Sequence, residues 1–525
     1  MSFSVHPQMS STIGGGANMS MNFDNKTVLS KDVSGLDKHL NAVVSGLLDK
    51  ESNEENLSFY SAMEEEIQQG ARGSAGDCQS FELFNFNETE TRLKLRELER
   101  ALLEDEEEED SFFADEIMGM GECSVTTCTE SSFSEDSSYI SGQAQALLSR
   151  GNTKQMLIYS ARALAEGRVE EASAMINELR QVVSVNGDPL QRASAYMTEG
   201  LAARVEASGK CLYKALRCKE PPSSERLAAM QILFEVCPCF KFGFMAANGT
   251  IIKAFEGESR VHIIDFDINQ GSQYMTLLQT VAGLSEAARP HLRLTGVDDP
   301  ESVQRIVGGL EIIGLRLQEL ADILGVSFEF KAVPAKASSV TPTMLDRRPG
   351  EALIVNFAFQ LHHLPDESVS TTNQRDKLLR MVKGMNPKLV TMAEQDVNTN
   401  TAPFFPRFIE AYNYYTAVYK SLDVTMPRGS QDRMNVERHC LARDIVNIIA
   451  CEGEERVERY EVAGKWRARM TMAGFTSCPM NPGMIDVIKK MIKEQYCDKY
   501  KVKEELGSLH FGWEDKSLII ASAWT

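Results

Sequence analysis

The stretch Val261 to Gly271, VHIIDFDINQG, decides how the rest of the chain is read. Val261, Ile263, Ile264 and Phe266 form a short apolar run that ends in acids and one glycine, and a helical pattern follows from Ser272 through Val281. A buried strand, a tight turn and a crossover helix are the opening unit of a doubly wound α/β sheet. When such a turn holds a cofactor, several glycines let backbone amides approach a phosphate or nucleoside. Here Gly271 stands alone, with Asp267, Asn269 and Gln270 where small residues belong. The scaffold is that of an enzyme, but the cradle is missing.

Outward from this unit the chain alternates strand and helix. Strands are predicted at Val261–Ile268, Leu292–Val297, Ser327–Ala332, Leu353–Phe359 and Leu389–Gln395, with a late antiparallel pair at Gly474–Pro479 and Lys516–Trp524. The helix from Ser302 to Leu324 repeats Ile and Leu, yet is too short for a sustained coiled coil and reads as a crossover helix. Upstream, Leu157, Ala161 and Leu164, then Ala172, Met175, Ile176 and Leu179, mark two amphipathic helices broken near Gly167. Asp188-Pro189 is an N-cap with proline in the first turn, and helices are expected to continue to Phe255. The expected fold class is α/β: a Rossmann-like, methyltransferase-like sheet over 259–525 with a helical cap over 145–258.

Charge divides the chain differently. Through Ile140 there are 9 Lys and Arg against 29 Asp and Glu, and the remainder holds 46 of each. All of the net charge of −20 therefore lies in the first quarter. Residues 1–144 are Ser-, Asn-, Gly- and acid-rich and are expected to be disordered. Within them Thr91 to Leu103 can form a short amphipathic helix, followed by the acidic run Glu104–Asp110 and then Phe112 and Phe113. Acidic runs with aromatics suit folding upon a partner, as activation segments do; a tail that only aids solubility is the plainer reading. The neutral remainder lacks the basic balance that drives autonomous binding to nucleic-acid phosphates. The eleven cysteines show neither a disulfide framework nor zinc spacing, so reduced structural thiols and no metal site are expected. No apolar run approaches the ~20 residues that span a bilayer, and the N-terminus has no signal-peptide pattern, which points to a soluble intracellular protein.

The motifs, in their order, resemble the plant GRAS family of transcriptional regulators from about Gln145 to the last residue. VHIID (Val261, His262, Ile263, Ile264, Asp265) is that family's signature, flanked by leucine-rich helices. VNFAFQLHHLPDESV follows from Val355 to Val369, and a proline/aromatic stretch from Pro403 to Asp423 includes Tyr415. Arg443-Asp444 stands where the family commonly has Arg-Glu, and Phe511-Gly512-Trp513 where it has Leu-x-Trp. Trp466 and Gly474 keep the W-x7-G spacing, and the chain closes on Ser522, Ala523 and Trp524. The resemblance implies a nuclear regulator without a cofactor. It also implies pairing with other GRAS proteins through a surface within Asn152 to Phe255, and contact with DNA-binding C2H2 zinc-finger proteins of the indeterminate-domain type around Trp466 and Trp513.

Methyl transfer is the chemical rival. An acid ending the second strand would hold a cofactor ribose, and Asp298-Asp299 offers one; His362 or His363 would serve as general base. Against it stand the glycine-poor turn and the plainer reading of His362 as a hydrogen-bonded structural histidine. His262 points to the opposite strand face from Val261 and Ile263 and reads as a satisfied core histidine, and Asp265 as a cap for neighbouring amides. No Ser-His-Asp triad, HExxH helix or Walker loop is present. Trp466 and Trp513 read either as exposed contact anchors or as core, whereas Trp524 reads as part of a buried last strand. Direct, sequence-specific DNA binding is the third possibility, and a basic concave groove would mark it.

Overall fold

The computed structural model describes residues 153–207, 209, 232–234, 236–269, 271–299 and 309–525. The expected disordered tail and the start of the leucine-rich helix at Ser302 lie outside the described residues. Five parallel strands form the left half of one sheet: β1 (Arg260–Asp265), β2 (His291–Asp298), β3 (Phe328–Pro334), β4 (Ala352–Ala358) and β5 (Leu389–Gln395). Antiparallel strands β7 (Tyr500–Glu505), β8 (Ser508–Trp513) and β9 (Lys516–Trp524) complete the order β3-β2-β1-β4-β5-β9-β8-β7, with the two-residue β6 (Ser477–Cys478) pairing β9. The strand order reverses at β1, with β2 on one side and β4 on the other, so the end of β1 is the topological switch point where doubly wound folds open a crevice.

Alternation along β1 feeds two cores. Val261 and Ile263 join the cluster beneath α4 (Pro238–Lys253), α5 (Ser272–Ala282), α6 (Leu310–Ile323) and α12 (Pro482–Gln495). Ile264 and Phe266 join the opposite cluster with α7 (Gln374–Gly384) and α11 (Ala463–Met472). Both faces of the strand are covered, which explains why VHIID is apolar on successive residues. Trp466 and Trp524 lie in the second cluster and Trp513 in the first, all fully buried.

The cap is built from two distant parts of the chain. α1 (Thr153–Ala165), α2 (Val169–Val182) and α3 (Pro189–Val205) pack together, as their periodicity predicts, and Asp188 caps α3 by accepting from the amides of Leu190 and Gln191. Their partners are α8 (Phe404–Thr425) and α10 (Ala442–Ala450), helices inserted after β5, whereas α4 packs on β5, β9 and α12. Between α9 (Gln431–Val436) and α10 runs a π-helical turn, Glu437–Leu441. Buried Arg192 of α3 joins the two parts, with Nη1 2.9 Å from Asp423 Oδ1 and Nε 2.9 Å from Glu437 Oε1. At Gly200 an added Cβ would lie 3.0 Å from Ile449 Cδ1, so the missing side chain is what lets Ile449 of α10 seat on α3.

The late antiparallel part is larger than the expected pair. The predicted strand at Gly474–Pro479 shrinks to β6, and β7 and β8 form a hairpin whose turn, Leu506 (φ 52°) and Gly507 (φ 78°), has positive φ at both residues. That is the type I′ geometry matching strand twist. The β8–β9 pairing breaks register between Phe511 and Gly512, where a Cβ on Gly512 would collide with the Lys516 carbonyl oxygen. Gly512→Ala is therefore expected to destabilise the fold by ~1–3 kcal/mol, because backbone must shift to admit the methyl. Urea unfolding of wild type and variant measures it, and equal midpoints contradict the assignment.

Candidate functional site

Asp265, at the end of β1, spends both carboxylate oxygens on the protein itself. Asp265 is buried; its Oδ1 accepts from the Asp267 amide at 2.8 Å, and its Oδ2 accepts from Asn356 Nδ2 at 2.8 Å and from the Tyr274 hydroxyl. Asn356 on β4 also donates to Gln273 Oε1 at 3.0 Å and accepts from Thr391 Oγ1 at 2.8 Å. Gln273 in turn donates to Asn248 Oδ1 at 3.0 Å. Asp265 thus ties β1 to β4 and β5 and to the first turn of α5, and α4 joins through Asn248. Burial pushes its carboxyl up, against hydrogen bonds from Tyr274, Asn356 and the Asp267 amide. His262 is likewise a core residue, with Nε2 2.8 Å from Thr295 Oγ1 and Nδ1 2.9 Å from Arg293 Nη2. Burial and the Arg293 charge hold it down at about 4, so it is neutral.

A cavity of about 80 Å³ opens beside this turn. Ile268 does not leave the end of β2 clear: a Cβ on Gly296 would lie 3.0 Å from Ile268 Cδ1, so this side chain covers the ground before Asp298. Asn269 adopts φ 51° and Gly271 φ 75°, so among the described residues of this turn a left-handed position is held by Asn as well as by Gly. One wall of the cavity is made by Phe234, Phe240, Phe244 and Phe359, whose rings lie 4.4–6.1 Å apart. Phe359 is held at φ 57° by its amide, which donates to the Ala393 carbonyl at 2.8 Å.

The opposite wall is ionic. His362 is buried at the strand end, its Nδ1 2.6 Å from Glu394 Oε2 and its Nε2 3.3 Å from Glu458 Oε2. Burial lowers its affinity for a proton, but the Glu394 and Glu458 charges outweigh this and raise it to about 9. At neutral pH it is an imidazolium, the wrong form for a general base. Glu458 is correspondingly held well below the ordinary range against the cost of burial, by His363 and His362. The Tyr460 hydroxyl lies 3.1 Å from Glu458 Oε2 and 3.2 Å from Asp444 Oδ2, and Asp444 Oδ1 accepts from Arg443 Nε at 3.1 Å. Burial and the Glu458 charge push Asp444 up to about 6; burial with the charges of Asp298 and Asp265 pushes Asp267 up to about 8. The structure thus gathers Asp265, the His362-His363 pair and Arg443-Asp444 around one cavity.

Other predicted positions fall elsewhere. Pro403 is the N-cap of α8, Tyr415 is buried against Tyr414 with ring centroids 5.2 Å apart, and Gly474, at φ 96°, ends α11. Ser522 and Ala523 pair with Met392 and Thr391 inside the sheet, and Trp524 Nε1 donates to Ser522 Oγ at 2.9 Å. The anchor reading of Trp466 and Trp513 is corrected. Trp466 lies under the Arg375 guanidinium, 5.0 Å from its ring, and Trp513 packs edge-on to Tyr500 at 4.9 Å. Of the basic residues beside them in sequence, Lys465 reaches the Thr401 hydroxyl, Arg469 pairs with Asp366, Asp376 and Glu461, and Lys516 lies 3.6 Å from Glu410.

Sequence reasoning missed the ion network behind the histidines. Arg375 Nε donates to the Leu364 carbonyl at 3.1 Å and Nη2 to the His362 carbonyl at 3.2 Å, which fixes the histidine loop. Arg469 reaches Glu461 Oε1 at 2.9 Å, Asp366 Oδ2 at 2.6 Å and Asp376 Oδ1 at 2.9 Å. The only signal was the density of opposite charges in EERVERYE, which ordinarily marks a solvated face.

Comparison with known proteins agrees with the motifs. The GRAS domain family matches residues 153–525, and the chain belongs to that family. It is 63% identical over 448 residues to Scarecrow-like protein 1 of Arabidopsis thaliana, covering 84% of this chain and 75% of that one. It is 52% identical over 403 residues to the Arabidopsis Scarecrow-like transcription factor PAT1, covering 76% and 82% respectively. The crystal structure of SCL7 from Oryza sativa superposes with a TM-score of 0.61 at 29% identity, covering 71% of this chain and 99% of that one. The chain is a plant transcriptional regulator and not an enzyme.

The His362 cluster sets a pH window. A histidine whose folded value of about 9 exceeds its unfolded ~6.5 stabilises fully below pH ~6.5 and loses that contribution as pH rises through 9. Asp267, raised to about 8 by burial and like charge, acts in the same direction within this range, whereas Asp444, at about 6, has already ionised below it. In chelator-containing buffer, stability is expected to fall by on the order of 3 kcal/mol between pH 6.5 and 9.5. In His362→Gln the slope should flatten. Denaturant melts across this range check it, and an unchanged slope in the variant contradicts it.

Proposed function

We propose that this protein is a nuclear coregulator that reaches DNA through protein contacts, with other GRAS proteins pairing on its helical cap and zinc-finger proteins of the C2H2 indeterminate-domain type supplying base recognition. One observation carries the pairing surface. Of the twelve large apolar side chains exposed among the described residues, five lie between residues 159 and 190: Tyr159, Val169, Val182, Val185 and Leu190. Apolar exposure concentrated on one subdomain fits a contact face. The switch-point crevice supports a non-enzymatic reading as well, because both oxygens of Asp265 are spent on internal hydrogen bonds and Ile268 covers the strand end.

With Trp466 and Trp513 in the core, the zinc-finger contact must use surface residues of the same segments. The exposed Met472, on α11, fits that role.

Mobility shifts and sedimentation test this reading. The purified protein should bind promoter DNA weakly and with little sequence preference, and gain a specific complex when a cognate zinc-finger protein is added. The combined change Val169→Asp and Leu190→Asp should weaken pairing at least tenfold without lowering the melting temperature. Tight, specific DNA binding by the chain alone at physiological salt would sink the coregulator reading; unchanged pairing in the double variant would move the interface elsewhere.

A further inference from the structure

His362 and His363 are adjacent in sequence, yet both rings turn toward one carboxylate oxygen. His362 Nε2 lies 3.3 Å and His363 Nε2 3.4 Å from Glu458 Oε2. Nitrogen and oxygen ligands at ~2.0–2.1 Å from a tetrahedral ion stand ~3.3 Å from each other. Each of the three residues offers a donor atom within 4.8 Å of the other two. His362 is also supported from behind, where Glu394 Oε2 sits 2.6 Å from its Nδ1; Asp267 Oδ2, 4.0 Å from His363 Nδ1, is beyond hydrogen-bond reach. A carboxylate behind an imidazole fixes the tautomer and aims the other nitrogen, as it does behind metal-bound histidines.

A second observation points to a ligand. Gln395, 6% exposed, lines the same cavity, and its Oε1 has no hydrogen-bond partner. A buried acceptor left without a donor is costly, and ion-bound water is a strong donor. We infer that His362, His363 and Glu458 hold a divalent transition-metal ion of the zinc class, with a further coordination position open to the cavity. Two imidazoles and one carboxylate favour zinc, cobalt or nickel over magnesium and calcium, which prefer all-oxygen shells. The ion would join the loop after β4 to the segment after α10, and so lock the cap insertion onto the sheet. It would replace the Nε2 proton that His362 directs at Glu458 in the metal-free protein, while Nδ1–H stays on Glu394.

Cobalt titration of the full-length, chelator-treated chain tests the site. One equivalent of Co2+ should give a visible ligand-field band without near-ultraviolet thiolate charge transfer, and Zn2+ should bleach it. Glu394→Gln should weaken binding 10–100-fold, as changes behind a ligand do. His363→Gln and Glu458→Gln should weaken it at least as much. His363 is the safer ligand to change, because its side chain is 22% exposed. Zn2+ should also raise the melting temperature of the wild type but not of His363→Gln, and Mg2+ should do neither. Absence of saturable binding at one equivalent, binding unchanged in His363→Gln, or a thiolate band assigning the metal to cysteines would each overturn the proposal.

Discussion

Buried carboxylates crowd the C-terminal ends of the parallel strands, and the rest of the site follows from neutralising them. Asp265, Glu394 and Glu458 are buried there, with the half-buried Asp267 and Asp444 beside them. Such a group folds only if protons, hydrogen bonds or cations meet each charge. Asp265 is met by hydrogen bonds and Asp444 by Arg443, while His362 stands between Glu394 and Glu458 as an imidazolium. The chain has converted the ligand crevice of a doubly wound sheet into an internal ion cluster.

That conversion explains why an enzyme-like scaffold serves a regulator. A base must be free of its proton at working pH, and His362 is held protonated by the two carboxylates. A cofactor cradle needs backbone amides at the switch point, and here Asp265 takes the Asp267 amide while Ile268 covers Gly296. What remains exposed is the outer surface, and the cap carries five of the twelve large apolar side chains exposed among the described residues. Its dual origin matters: α1–α3 rest on helices that leave the sheet after β5, so the cap and the ion cluster share the segment from Glu437 to Glu461.

The parallel half of the sheet was legible because β1, β2, β4 and β5 are buried on both faces and read as largely apolar runs, with only the edge strand β3 half-buried; β5 and β9 fall on the predicted residues. The β7–β8 hairpin was not, because YKVKEELGSLHFGW interleaves charges with apolar residues and its turn carries Leu506 where Asn or Asp would have been a signal. Motifs found singly (VHIID, LHH, Arg443-Asp444) gave no sign that they meet, since only the fold brings Glu394 and Glu458 to His362. Glu458 was the hardest to foresee: in a run of charges the ordinary reading is solvent, yet Glu458, Arg459 and Glu461 are all buried.

The most direct measurement of the central claim is a double-mutant cycle on His362→Gln and Glu458→Gln, followed by urea unfolding at pH 6.5 with chelator present. A buried, mutually dependent pair predicts a coupling energy above ~1 kcal/mol and up to ~3, with each single change more costly than its share of the double. A coupling energy near zero would contradict the account, because the imidazolium and the carboxylate would then not be supporting one another.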